Sequence, residues 1–141
     1  MGKLSREIEF RGVVIDEDED KWIYGCLSWP DNTEPKITPK KDTRNWFYVC
    51  SWTVGQYTGL KDINGTKIYE GDIVDAGPDS KSGEPESFSV VHYQAGAFCI
   101  FDLPLNEFVE WDYDGSMLRA NVAVVGNIHD NPELLPEEAG E

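Results

Sequence analysis

Apolar and polar positions alternate with a period of two along most of the chain, the pattern of half-buried β-strands rather than of helices. Residues 8–15 (IEFRGVVI) predict a first strand, with Phe10 and Val14 set against Arg11 and Val13. The five acids of DEDED (16–20) predict a solvated connection, and residues 21–29 predict the returning strand of a β-hairpin. Residues 30–42 (PDNTEPKITPKKD) are punctuated by Pro30, Pro35 and Pro39 and predict a loop or arm. Residues 45–53 (NWFYVCSWT) predict a strand that is apolar on both faces: Trp46, Tyr48, Cys50 and Trp52 on one, Phe47 and Val49 on the other. Such a strand is either sandwiched within a domain or buried against another chain.

The second half continues in short strands. Asn64-Gly65 is a strong hairpin signal, compatible with a type I′ turn or with a type I turn ending in a G1 bulge, and brings Leu60 and Ile68 together. Gly71 predicts a sharp redirection of the chain into a strand over 73–76. Residues 77–87 read as a long loop, and 88–93 and 97–102 as strands joined by a short Gln-Ala-Gly turn. Further strands are predicted at 108–113 and, most apolar of all, 120–128. Asn131 is positioned to cap a one-turn helix begun by Pro132, before an acidic tail. There are no repeats, heptads or long amphipathic helices. The pattern predicts an all-β barrel or sandwich-like fold.

Composition narrows the range of functions. Asp and Glu number 27 against 12 Lys and Arg, a net charge of -15, which repels phosphate backbones at long range and disfavours general duplex binding. Against that trend, Lys36, Lys40, Lys41 and Arg44 form a local basic run. Cys26, Cys50 and Cys99 have no metal-knuckle spacing and make a poor disulfide framework, so each reads as a small buried residue in a reducing compartment. No stretch reaches 18 apolar residues and the N-terminus lacks an apolar signal region. The expectation is a cytoplasmic protein with no membrane association.

Candidate chemistry is sparse. Asp62, Glu70 and Asp72 are possible working carboxylates, but no positioned nucleophile accompanies them, and turn formation before a strand explains them better. DYDG (112–115) fails the calcium-loop pattern, because Ser116 and Met117 occupy its fifth and sixth positions. His92 and His129 are too few for a zinc site, and no phosphate-binding glycine loop is present. No metal or other cofactor is expected. The aromatics Trp22, Tyr24, Trp29, Trp46, Tyr48 and Trp52 are read as core first, subunit interface second and base-stacking groups third.

The blocks TVGQYTGLKDINGTKIYEGDIV (53–74) and VVGNIHDNPELL (124–135), with the opening FRGVVIDEDEDKWIYGCL (10–27), resemble the YopX family of phage and prophage proteins. Residues 30–41 and 103–118 depart from the family pattern. The resemblance implies a C-terminal SH3-type β-barrel (57–141) with a short helical turn, preceded by an N-terminal β lobe (1–56), in a bacterial host cell. It implies no catalytic residues. The expected role is a non-enzymatic accessory protein that self-associates through Trp46, Phe47, Tyr48 and Trp52 and binds a host or phage protein. The first alternative is a nucleic-acid-binding module using Lys36, Lys40, Lys41 and Arg44, or an acidic DNA mimic acting on a host protein. The second is an enzyme built around Glu70, Asp72 and His92.

Overall fold

The computed structural model describes residues 7–15, 21–31, 33–77, 87–111 and 117–135. The chain forms two compact units, 1–59 and 60–141. Both are all-β; among the described residues helix is confined to short 3₁₀ turns.

In the first unit, β1 (Phe10–Val13), β2 (Trp22–Ser28), β3 (Lys36–Pro39), β4 (Phe47–Tyr48) and β5 (Gly55–Lys61), whose last residues pass into the second unit, run antiparallel in the order β4-β3-β2-β1-β5. The inner face carries Val14, Ile23, Ile37 and Val49, with Phe10, Leu27, Phe47 and Val54 packed around them. An antiparallel bridge between Val14 and Val49 turns the β4 end back toward the end of β1, so the sheet curls. Two glycines permit this packing. A Cβ at Gly25 would lie 2.0 Å from the Thr38 carbonyl oxygen, and one at Gly12 would lie 2.9 Å from Val49.

Two sequence expectations fail here. The segment 30–42 is not only a loop, because β3 lies within it between β2 and β4. Its single strong hydrophobe, Ile37, is fully buried, and Pro39 ends the strand opposite Gly25. The predicted strand over 45–53 is also cut short. Thr53 Oγ1 accepts the Val13 N–H at 2.9 Å and donates to the Cys50 carbonyl at 2.6 Å, which winds residues 51–53 into a 3₁₀ turn.

The second unit contains β6 (Lys67–Tyr69), β7 (Asp72–Asp75), β8 (Phe88–Val90), β9 (His92–Gln94), β10 (Ala97–Ile100), β11 (Leu103–Pro104), β12 (Val109–Trp111), β13 (Met117–Ala120) and β14 (Ala123–Asn127). These include the ladders β14-β7-β8, β11-β10-β9 and β12-β13. The ladders share a core of Ile68, Val74, Val91, Ile100, Leu105, Val109, Ala120 and Val122 but do not close into a hydrogen-bonded barrel. The apolar run 120–128 does not form one strand. It divides between β13 and β14, where Asn121 N–H turns to the Phe108 carbonyl. The run 88–93 divides at Val91, whose N–H and carbonyl bond Asp72 O and Gly71 N, both at 2.8 Å.

The turns follow backbone sterics. At Asn64-Gly65 only Gly65 has a positive φ (85°), which selects the bulged type I form over type I′. In the Gln-Ala-Gly turn both Ala95 (53°) and Gly96 (85°) are positive, as type I′ requires. Gly71 (93°) makes the expected redirection. Pro132–Leu134 forms the short C-terminal helical turn. Asn131 does not cap it; its Oδ1 instead accepts the Asn127 N–H at 3.2 Å.

Candidate functional site

Residues opposed across an antiparallel ladder share a face, as do alternate residues along a strand. Tyr24 opposes Arg11, Cys26 opposes Thr38, Ser28 opposes Lys36, and Lys36 opposes Tyr48. Arg11, Tyr24, Cys26, Ser28, Thr38, Lys36 and Tyr48 therefore occupy one face of the first unit's sheet, buried at Arg11 on β1 and more open over β2 to β4. Trp46, two residues before Tyr48, continues the alternation. This is the outer face: Tyr24 is 42 % exposed, Trp46 49 % and Tyr48 45 %. Their neighbours Ile23, Leu27, Ile37 and Phe47 point into the core.

The outer face mixes aromatic rings with cations. Trp46 and Tyr48 meet edge to face, with ring centroids 5.0 Å apart and planes at 79°. Lys36 Nζ lies 4.7 Å from the Trp46 centroid, a cation–π contact that holds the ammonium over the indole. Lys40, just past β3, pairs with the exposed Glu7 at 3.6 Å and with the largely buried Glu9 side chain at 4.0 Å. Exposed pairs such as that with Glu7 contribute about 0–1 kcal/mol and exchange readily for other anions. Lys41 and Arg44 are exposed in the turn that follows. Beside the aromatic pair lies an open groove of about 430 Å³ lined by Val14, Ile15, Glu34, Trp46, Phe47 and Tyr48.

Of the four residues expected at an interface, the structure brings Trp46 and Tyr48 together at the surface. Phe47 is half-buried and packs on its own unit's core. Trp52, 74 % exposed, stands on the 3₁₀ turn outside the strand. Composition groups Tyr24 with Trp46 and Tyr48 and sets Lys36 near them; the alternation of 22–28, joined to the lone Ile37, is the signal that places them on one face.

The acids serve the fold. Asp62 is 1 % exposed; its Oδ1 accepts the N–H groups of Asn64 and Thr66 and its Oδ2 that of Val124, all at 2.8 Å. Asp72 Oδ2 accepts the Tyr69 N–H at 2.8 Å. Asp75 Oδ1 holds Gly77 N and Ser87 Oγ. His92 is engaged locally, with Nδ1 at 3.0 Å from the Val90 carbonyl and Nε2 at 3.0 Å from Gln94 Oε1. No cluster of three or more metal-ligating side chains occurs among the described residues. The DEDED and DYDG segments lie outside them. The cysteines differ from expectation: Cys99 is buried, Cys50 is half-buried, but Cys26 is exposed on the outer face. No helix among the described residues is long and apolar enough to cross a membrane.

The YopX protein family model matches residues 9–136. The chain belongs to the YopX family. A solved structure similar to this YopX-family chain is protein EF1440 from Enterococcus faecalis, 27 % identical, with a TM-score of 0.61 over 94 % of this chain and 100 % of that one. A search of curated proteins gives no match.

Proposed function

We propose that this YopX-family chain is a non-enzymatic binding module whose working surface is the outer face of the first unit's sheet. The observation that carries the reading is the exposed Trp46–Tyr48 pair, fixed edge to face on a strand end with Lys36 over the indole. Trp and Tyr at a rigid surface are effective binding anchors because they offer large contact area at low rotamer cost. The carboxylates of Asp62, Asp72 and Asp75 are occupied by their own backbone, which supports a role without acid–base chemistry. The SH3-type barrel reading of the second unit is supported by its several short ladders around one core. A phage or prophage setting in a bacterial cytoplasm belongs to the same proposal.

A photo-crosslinking residue in place of Trp46 tests the face in cells. A discrete adduct is expected there, and none from the same residue at exposed Tyr93 in the second unit. No adduct at position 46 removes the reading. A second reading, self-association, is favoured by the groove beside the face, whose apolar lining of Val14, Ile15 and Phe47 suits a side chain of another copy. Light scattering decides it: a dimer or larger species that dissociates in W46A/Y48A supports it, and a monomer at micromolar concentration ends it.

A further inference from the structure

We infer that the outer sheet face binds a single strand of nucleic acid, with Trp46, Tyr48 and Tyr24 as stacking groups and Lys36, Lys40, Lys41 and Arg44 as phosphate contacts. The inference rests on the binding-module reading and names its partner. Three observations point to this chemistry.

The first is charge. The chain carries a net charge of -15, yet residues 36–48 hold Lys36, Lys40, Lys41 and Arg44 against one acid, Asp42, with Glu7 and Glu9 beside Lys40 and Glu34 in the groove beside Trp46. Asp42 is itself hydrogen-bonded by Asn45 Nδ2. The positive island therefore coincides with β3, β4 and the turn between them, while the rest of the chain repels polyanions. Such an arrangement confines a nucleic acid to one face rather than letting it coat the protein.

The second is the composition of that face. Three half-exposed rings share one side of the sheet with the Lys36 ammonium, which cross-strand register sets opposite Ser28 and Tyr48. Sequence-tolerant single-strand binders combine these elements, rings that stack on bases and cations that follow the backbone. The small side chains of Cys26, Ser28 and Thr38 lie between Tyr24 and the Trp46–Tyr48 pair on that face.

The third is shape. Trp46 and Tyr48 stand half-exposed beside an open groove of about 430 Å³, where unpaired bases can stack against the rings. The Lys40 contact with Glu7 is an exposed pair that a phosphate can replace.

The test uses the full chain and a fluorescein-labelled oligothymidylate of about 12 nucleotides, within the span single-strand folds cover. Anisotropy at low salt is expected to show binding, with a duplex of the same length bound much more weakly. Three to four phosphate contacts predict a loss of roughly 20- to 50-fold in affinity between about 50 and 200 mM salt. W46A is expected to weaken binding at least about fivefold, W46F to retain most of it, and K36E/K40E to weaken it and flatten the salt slope. No binding at low salt, equal binding to duplex, or indifference to W46A and K36E/K40E overturns the inference. The in-cell adduct at position 46 separates this failure from that of the binding face. A nuclease-resistant protein adduct leaves the face and removes nucleic acid, whereas no adduct removes both.

Discussion

Replacing Asp62 by Asn isolates the contact that ties the Asn64-Gly65 hairpin to β14. The carboxylate is 1 % exposed and accepts three backbone N–H groups at 2.8 Å, two from the turn and one from Val124. An amide retains one oxygen. If that oxygen keeps the two turn donors, an NH2 group faces the Val124 N–H, donor against donor. A hydrogen bond to a charged group contributes about 1.5–3 kcal/mol, and a buried donor left without an acceptor costs about 1–3 kcal/mol. Because the Ile63 N–H still bonds the Val122 carbonyl at 2.9 Å, the hairpin stays attached and the loss is local. The expected cost is about 2–4 kcal/mol for Asn, and more for Ala, which removes all three acceptors. Urea unfolding followed by far-UV circular dichroism measures it as a lower midpoint at unchanged slope. Amide hydrogen exchange then locates it: Val124 should accelerate more than Asn64 or Thr66 in D62N, and all three should accelerate in D62A. A D62N protein within about 0.5 kcal/mol of wild type, the range of ordinary surface substitutions, would refute the reasoning.

Other substitutions test the packing in the same terms. Gly25→Ala places a methyl group 2.0 Å from the Thr38 carbonyl oxygen and must part β2 from β3, so thermal unfolding should show a loss of about 1–3 kcal/mol or more; wild-type stability would contradict the register. Ala95→Gly relieves a left-handed alanine at φ 53° and should stabilise the second unit by roughly 0.5–1 kcal/mol after the entropy cost of glycine; destabilisation on chemical unfolding would contradict the type I′ turn. Exposed Cys26 should react with a thiol reagent in the native protein while buried Cys99 waits for unfolding, and equal rates would contradict their placement.

The strands that alternate cleanly were legible from sequence: β1, β2, β10 and β12 lie within the predicted runs, and β7 begins one residue ahead of its run. β3 was hidden because one isoleucine between prolines gives no periodicity, and its partner is chosen by Gly25, which admits the Thr38 carbonyl. The break in 45–53 depends on a hydroxyl, Thr53, reaching a strand 40 residues away in the chain, which no local pattern encodes. The division of 120–128 likewise follows from Asn121 bonding Phe108. At the candidate site, Trp46 and Tyr48 stood out as aromatics and Lys36 to Arg44 as a basic run. That they form one surface follows only from the register of β2, β3 and β4, a long-range property. Phe47 shows the reverse: its apolar character was visible, but its side of the strand assigns it to the core.

The claim that the outer sheet face binds single-stranded nucleic acid is tested most directly by titrating the labelled full-length protein with oligothymidylate and following the backbone amides by two-dimensional NMR. The account predicts saturable shifts concentrated in residues 22–28, 36–44 and 46–48, together with Trp46 indole shifts. Shifts confined to the second unit, or none at all, would contradict it.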